Sequence, residues 1–143
     1  MKSLGLKILV PFDGSPAALA ALHHALALRE AGLRAAVVLV NVQPPATLYE
    51  VVTAHDPDVI REVRGAAGAD LVAPAEALLQ AAGVDYELEV AGGEPAPMIV
   101  ELAENYGCGL IVLGGEGDVV DDVVAHSTLP VTVVPLPDTD ADA

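Results

Sequence analysis

Five short apolar runs, separated by four stretches of helical character, restrict the fold of this chain more than any other feature. Leu6–Pro11 (LKILVP), Ala35–Val42 (AAVVLVNV), Gly109–Leu113 (GLIVL) and Val131–Val134 (VTVV) are almost continuously apolar. Strands buried on both faces read this way, and such strands belong to parallel sheets. Asp85–Val90 (DYELEV) differs, because it alternates. Tyr86, Leu88 and Val90 face one way and Asp85, Glu87 and Glu89 the other, which suits a strand near a sheet edge with one wet face. Strand and helix in strict alternation predict a parallel α/β sheet with right-handed crossovers.

The helices carry their own punctuation. Ser15 and Pro16 supply an N-cap and a favoured first helical residue, so a helix is predicted over Pro16–Ala31, ended by Gly32. Its spacing predicts that Leu19, Leu22 and Leu26 face the sheet. Gln43–Pro57 reads as a long loop. Asp58–Ala82 has helical pattern, but Gly65, Gly68 and Pro74 interrupt it and predict a kinked or split helix. A turn over Ala91–Glu94 leads to a helix over Pro95–Tyr106, and a short helix is predicted over Val119–Ala125. At 143 residues the chain fits one domain, 1–136, followed by a disordered acidic tail, 137–143.

Charge is distributed unevenly, and this excludes several functions. The net charge is −15, yet all six basic residues lie before position 65, where six acids balance them. The remaining acids, with no base among them, fall in residues 65–143. Such a field repels nucleic acid and anionic membranes. No apolar run approaches the ~20 residues of a membrane span, and no signal-peptide cleavage pattern follows the short N-terminal apolar run. A cytoplasmic location is the expectation. Cys108 is the only cysteine, so no intrachain disulfide can form, and its place beside an apolar strand suits a small buried hydrophobe.

The segment Leu110–Pro135, LIVLGGEGDVVDDVVAHSTLPVTVVP, carries the one motif with ligand chemistry. A Gly-rich turn between strand and helix offers backbone N–H groups to a phosphate. This turn, however, holds Glu116, Asp118, Asp121 and Asp122 with no Lys or Arg nearby. Asp118 and Asp121 can serve the helix N-terminus internally, as cap and first-turn acids. A phosphate ligand would meet like charges there, although Mg²⁺ on these hard oxygen ligands could screen them.

Other constellations are weaker. Asp13, at a strand's carboxyl end, could hold a ligand or cap the first helix together with Ser15. Asp122 and His126 lie four apart on one helix face, as a metal pair or, with no third ligand in view, a solvated ion pair. His23 and His24 are adjacent, so one packs and the other is wet. Ser15 has no partner His at recognisable spacing, which leaves no hydrolase triad.

These residues together resemble the universal stress protein family over nearly the whole chain. Ile8-Leu9-Val10-Pro11-Phe12-Asp13-Gly14-Ser15 before an Ala-rich helix is similar to the family's opening strand and turn. Val38–Val42 resembles its second strand, where a His-Val pair is common and Asn41-Val42 stands here. Gly92-Gly93-Glu94-Pro95-Ala96, the helix after it, and Leu110–Gly114 resemble the third crossover; Pro130–Val134 resembles the final strand. The resemblance implies a three-layer sandwich of the adenine nucleotide alpha hydrolase-like kind: an open five-stranded parallel sheet, order 3-2-1-4-5, with helices on both faces. The switch in strand order then lies between strands 1 and 4, where such sheets bind ligands.

The resemblance also implies a nucleotide site made of Asp13 and Val42 for adenosine and of Gly114 and Gly117 for phosphates. The family's phosphate loop runs Gly, two residues, Gly, nine residues, Gly, then Ser or Thr. Here Gly114-Gly115-Glu116-Gly117 supplies the first part, the nine-residue stretch is absent, and Asp118 stands where the hydroxyl would be. The leading expectation is therefore a non-enzymatic stress-response protein that binds no ATP and works through protein contacts with an unknown partner. The alternative is a regulatory module that binds AMP, or ATP with Mg²⁺, in the switch-point crevice. Val131, Thr132, Val133 and Val134 form a short apolar edge, and the resemblance implies a homodimer through them. The other reading is an edge kept short by Pro130 and Pro135 to prevent pairing.

Overall fold

The computed structural model describes residues 6–44 and 57–136. The acidic tail 137–143 and most of the predicted loop 43–57 lie outside the described residues. The elements run β1 (Leu6–Pro11), α1 (Pro16–Glu30), β2 (Ala35–Gln43), α2 (Pro57–Ala81), β3 (Tyr86–Gly92), α3 (Pro95–Asn105), β4 (Leu110–Gly114), α4 (Asp118–His126) and β5 (Val131–Val134). All strand pairs are parallel, and the order is β3-β2-β1-β4-β5. This is the predicted three-layer, adenine nucleotide alpha hydrolase-like arrangement.

Alternate residues of the central strands build two separate cores. Ile8, Val10, Val37, Leu39 and Val112 face α1 and α2, meeting Ala21, Leu22, Val72 and Leu79. Leu9, Val38, Val40, Ile111 and Leu113 face α3 and α4, meeting Ile99, Leu102, Val120 and Val123. Two buried faces explain why these strands read as unbroken apolar runs. Cys108 is buried in the second core, and burial pushes its thiol pKa up.

Helix α1 turns Leu22 and Leu26 to the sheet as predicted, but not Leu19. Ala18, Ala21, Leu22 and Ala25 are buried, Leu26 packs beside them, and Leu19 is exposed. The helix is apolar nearly all round, so leucine spacing is an incomplete guide to its orientation. Burying the alanine stripe instead lets the helix sit very close to the sheet. His24 is half-buried and His23 exposed, as their adjacency requires.

Helix α2 is one continuous element of 25 residues, not a split one, with Pro74 inside it. Pro74 is exposed. The Asp70 carbonyl that loses its helical donor there can therefore turn to water, which limits the cost of the proline. Gly68 is buried; a Cβ at this position would lie 2.6 Å from Val90 Cγ1 and 3.0 Å from Asn41 Oδ1. Its role is close packing, not interruption of the helix.

Strand β3 is an edge, but its acids are partnered. Lys7 forms an ion pair with Glu87 at 3.0 Å. The Tyr106 hydroxyl donates to Glu89 at 2.6 Å, which pushes the Tyr106 pKa up to about 12. The Tyr86 hydroxyl donates to Glu76 at 2.6 Å, and Tyr86 is raised for the same reason. These contacts tie the edge to β1, α2 and the turn after α3.

Candidate functional site

A crevice of about 790 Å³ opens at the carboxyl ends of β1 and β4. The sheet itself creates it. In the β1–β4 ladder, only Ile8 and Leu9 pair with Leu110 and Ile111. Beyond these pairs β1 continues to Pro11 and β4 to Gly114, so the two ends part where the strand order reverses. This is the usual ligand position of an open α/β sheet, and the volume is that of a small-molecule site.

One wall comes from the end of β1 and the turn after it. Phe12 is buried and lines the crevice. Asp13 follows, exposed, with Oδ1 accepting the Ser15 N–H at 2.9 Å. Ser15 is the N-cap of α1, its Oγ accepting the Ala18 N–H at 3.1 Å. Asp13 thus braces the turn with one oxygen while facing the crevice; the capping and ligand-holding roles are compatible. Val42 joins from β2, and Pro95 and Ile99 from α3.

The opposite wall is the β4–α4 turn. Gly114, Gly115, Glu116 and Asp118 line the crevice, and Gly117 does not. Gly117 is the N-cap of α4, at φ 119°, with no side-chain cap. Asp118 is therefore the first helical residue and not the cap that its sequence position suggested. The correction has a simple cause: the positive φ that reverses the chain falls to glycine, so the carboxylate arrives one residue late. Asp118 and Asp121 complement the helix dipole from the first turn. They leave the terminal N–H groups without a side-chain cap at the rim of the crevice.

The other expected acid roles are also corrected. Glu116, Asp118, Asp121 and Asp122 do not converge: among the described residues no group of three or more acids, histidines or cysteines is placed to hold a metal ion. His126 meets the backbone carbonyl of Asp122 at 2.9 Å, so the contact is neither a metal pair nor an ion pair with the carboxylate. None of the described residues lining the crevice is cationic.

Of the four residues expected at a nucleotide site, the structure brings Asp13, Val42 and Gly114 to one crevice and leaves Gly117 behind its rim. The apolar walls from Phe12, Ile99 and Leu113 were not foreseen. Phe12 is the chain's only phenylalanine, next to the switch point, and that was a usable signal. Ile99 and Leu113 looked like any core residue.

The family model for the universal stress proteins matches residues 6–135. The chain belongs to the universal stress protein family. Among curated protein sequences none matches significantly. Several solved universal stress proteins share the fold over nearly their full lengths. One from Burkholderia pseudomallei has 25% identity and a TM-score of 0.73, covering 94% of this chain and 99% of its own. One in complex with cAMP has 22% identity and a TM-score of 0.70, covering 94% and 100%. One from Arabidopsis thaliana with AMP bound has 18% identity and a TM-score of 0.71, covering 96% and 95%. In this universal stress protein only Gly115, Glu116 and Gly117 separate β4 from α4. Among its described residues no helix is long and apolar enough to cross a membrane.

Proposed function

We propose that this universal stress protein is a non-enzymatic regulatory module whose crevice takes adenosine or a low-charge adenine nucleotide and rejects ATP. The observation that carries this reading is the charge pattern of the crevice. Half-buried Val42, with the nearly buried Phe12, Ile99 and Leu113, gives the crevice an apolar lining for a base, and Asp13 offers an acceptor to a ribose or an exocyclic amine. Glu116 and Asp118 line the side that phosphates would occupy, with no cation beside them among the described residues. The uncapped N–H groups of α4 can take one negative charge. A triphosphate would bring several, against two fixed carboxylates. The solved relatives with cAMP and AMP support the adenine half of the reading.

The test is calorimetric titration with adenosine, cAMP, AMP and ATP, each with and without Mg²⁺. Affinity is expected to fall as phosphates are added, with ATP at least about tenfold weaker than adenosine, as 1.4 kcal/mol of repulsion requires. Equal or tighter ATP binding would overturn the exclusion, and no binding of any adenine compound would overturn the ligand.

The second part of the reading is a homodimer through β5. This strand is a sheet edge of four residues, Val131–Val134, with Val133 exposed; Leu136, just beyond it, is 49% exposed. An open apolar edge invites pairing with a twofold mate. Light scattering at micromolar concentration is expected to give a dimer, and Val133→Lys a monomer. A monomeric wild-type chain would remove this part and leave the crevice untouched.

A further inference from the structure

We propose that Asn41 is a positioning residue: its buried carboxamide, reaching across from the adjacent strand, fixes the crevice wall at Phe12 and Asp13. The proposal rests on the adenosine reading of the crevice for its binding consequence only. Asn41 is the one buried polar side chain among the described residues, 2% exposed. It follows Val37 and Leu39 on the β2 face that meets α1 and α2, whereas its neighbour Val42 follows Val38 and Val40 on the other face. One residue thus lines the crevice, and the next braces it.

The brace is specific. Asn41 Nδ2 donates to the Phe12 carbonyl at 2.9 Å. A carbonyl only accepts, so the group facing it must be the amide nitrogen, and Oδ1 is left to accept from Gln43 Nε2 at 3.2 Å. The Phe12 N–H is bonded to the Val40 carbonyl at 2.8 Å. Phe12 is therefore held to β2 on both sides of its peptide backbone, one residue beyond the end of β1. Without Asn41 its carbonyl would lack that donor in a buried setting, a state that native proteins avoid.

Helix α2 presses on the same place. Gly68 lets the helix lie against Asn41 Oδ1, and Leu71 approaches the turn at Gly14, where an added Cβ would sit 3.3 Å from Leu71 Cδ2. The turn carrying Asp13 is thus backed by α2 and tied to β2 through one carboxamide. Any ligand that uses Phe12 and Asp13 uses surfaces whose placement depends on that bond.

Asn41→Leu keeps the volume and removes the donor, and Asn41→Asp keeps the shape and loses the donating group at neutral pH. Adenosine affinity, measured well below the melting temperature, is expected to fall about tenfold in each, as loss of a buried hydrogen bond implies. A role confined to stability would not produce the second readout. By NMR, exchange of the Phe12 amide should accelerate about tenfold relative to the Val37 amide, which is bonded to Asp85 at the far end of β2.

Gln43→Leu removes only the bond that orients the carboxamide. It should fold and show the same selective change, about threefold, should either Asn41 variant fail to fold. Parallel acceleration at Phe12 and Val37, or unchanged exchange in all variants that fold, would overturn the proposal. A wild-type chain that binds no adenosine would overturn the ligand reading instead, and the exchange measurement would still decide whether Asn41 holds the wall.

Discussion

Gly114→Ala should lower the melting temperature by roughly 10 °C or prevent folding, while Gly109→Ala, just before the other end of β4, should shift it by less than about 3 °C. Neither glycine has a positive φ, so neither is required for backbone conformation. On chain entropy alone each substitution would stabilise by about 0.4–1 kcal/mol. Contacts decide the sign. A Cβ at Gly114 would lie 2.0 Å from the Ala17 carbonyl oxygen and 2.7 Å from its carbon, both backbone atoms of α1. Relief requires moving the helix off the sheet and opening the core around Ala18, Ala21 and Leu22. Overpacking of this kind costs about 3 kcal/mol or more, a large part of the ~5–15 kcal/mol that holds a domain. At Gly109 the Cβ meets only the Leu6 side chain, 2.3 Å from Cδ1 and 3.6 Å from Cγ, and this flexible, half-buried side chain can swing aside. Thermal unfolding followed by circular dichroism compares the two. Equal shifts would mean that α1 does not ride against β4 as closely as the structure has it.

The second large effect concerns the ligand. The double variant Glu116→Gln, Asp118→Ser is expected to tighten ATP binding by about ten- to a hundredfold and to change adenosine binding by less than about twofold. Both acids line the crevice and both are exposed, so their repulsion is partly screened. Two unit charges at about 4 Å repel by about 1 kcal/mol in water and about 4 kcal/mol near a protein surface, and each 1.4 kcal/mol is tenfold in affinity. Salt gives an independent check: in the wild type, ATP affinity should rise with ionic strength, because screening weakens a repulsion. In the variant this dependence should shrink or reverse. If ATP binding does not improve when the acids are removed, the missing phosphate loop and not the charge is what excludes it. The helix also loses a first-turn acid, at a cost of about 0.3–1 kcal/mol, so stability should fall slightly as selectivity is lost.

Much of the architecture was legible because burial leaves a direct trace in composition. Strands covered on both faces have little room for polar residues, so β1, β2 and β4 stood out within a residue or two of their ends; the edge strand β5 stood out as an apolar run between two prolines. Their order came from the family resemblance, since nothing in an apolar run names its neighbours. Where the sequence misled, two signals competed. The Ala-rich α1 is apolar on every side, so its leucines marked the buried face at Leu22 and Leu26 and missed it at Leu19. Pro74 and the glycines of α2 read as breaks, but their tolerance depends on what lies opposite each: solvent at Pro74, Asn41 and Val90 at Gly68. The crevice was legible in part. Asp13, Val42 and Gly114 follow from position in the motif. The cap at Gly117 depended on a backbone angle, and the brace from Asn41 on a contact across two strands, neither of which spacing can reveal.

The short connection between β4 and α4 bears on time as well as on charge. With only Gly115, Glu116 and Gly117 between strand and helix, this segment has too little chain to fold over a bound molecule. Release of a ligand past this rim would then be limited by the contacts in the crevice and not by the opening of a β4–α4 lid. Under the adenine reading proposed above, such a rim suits prompt reporting of the ligand's concentration better than its storage.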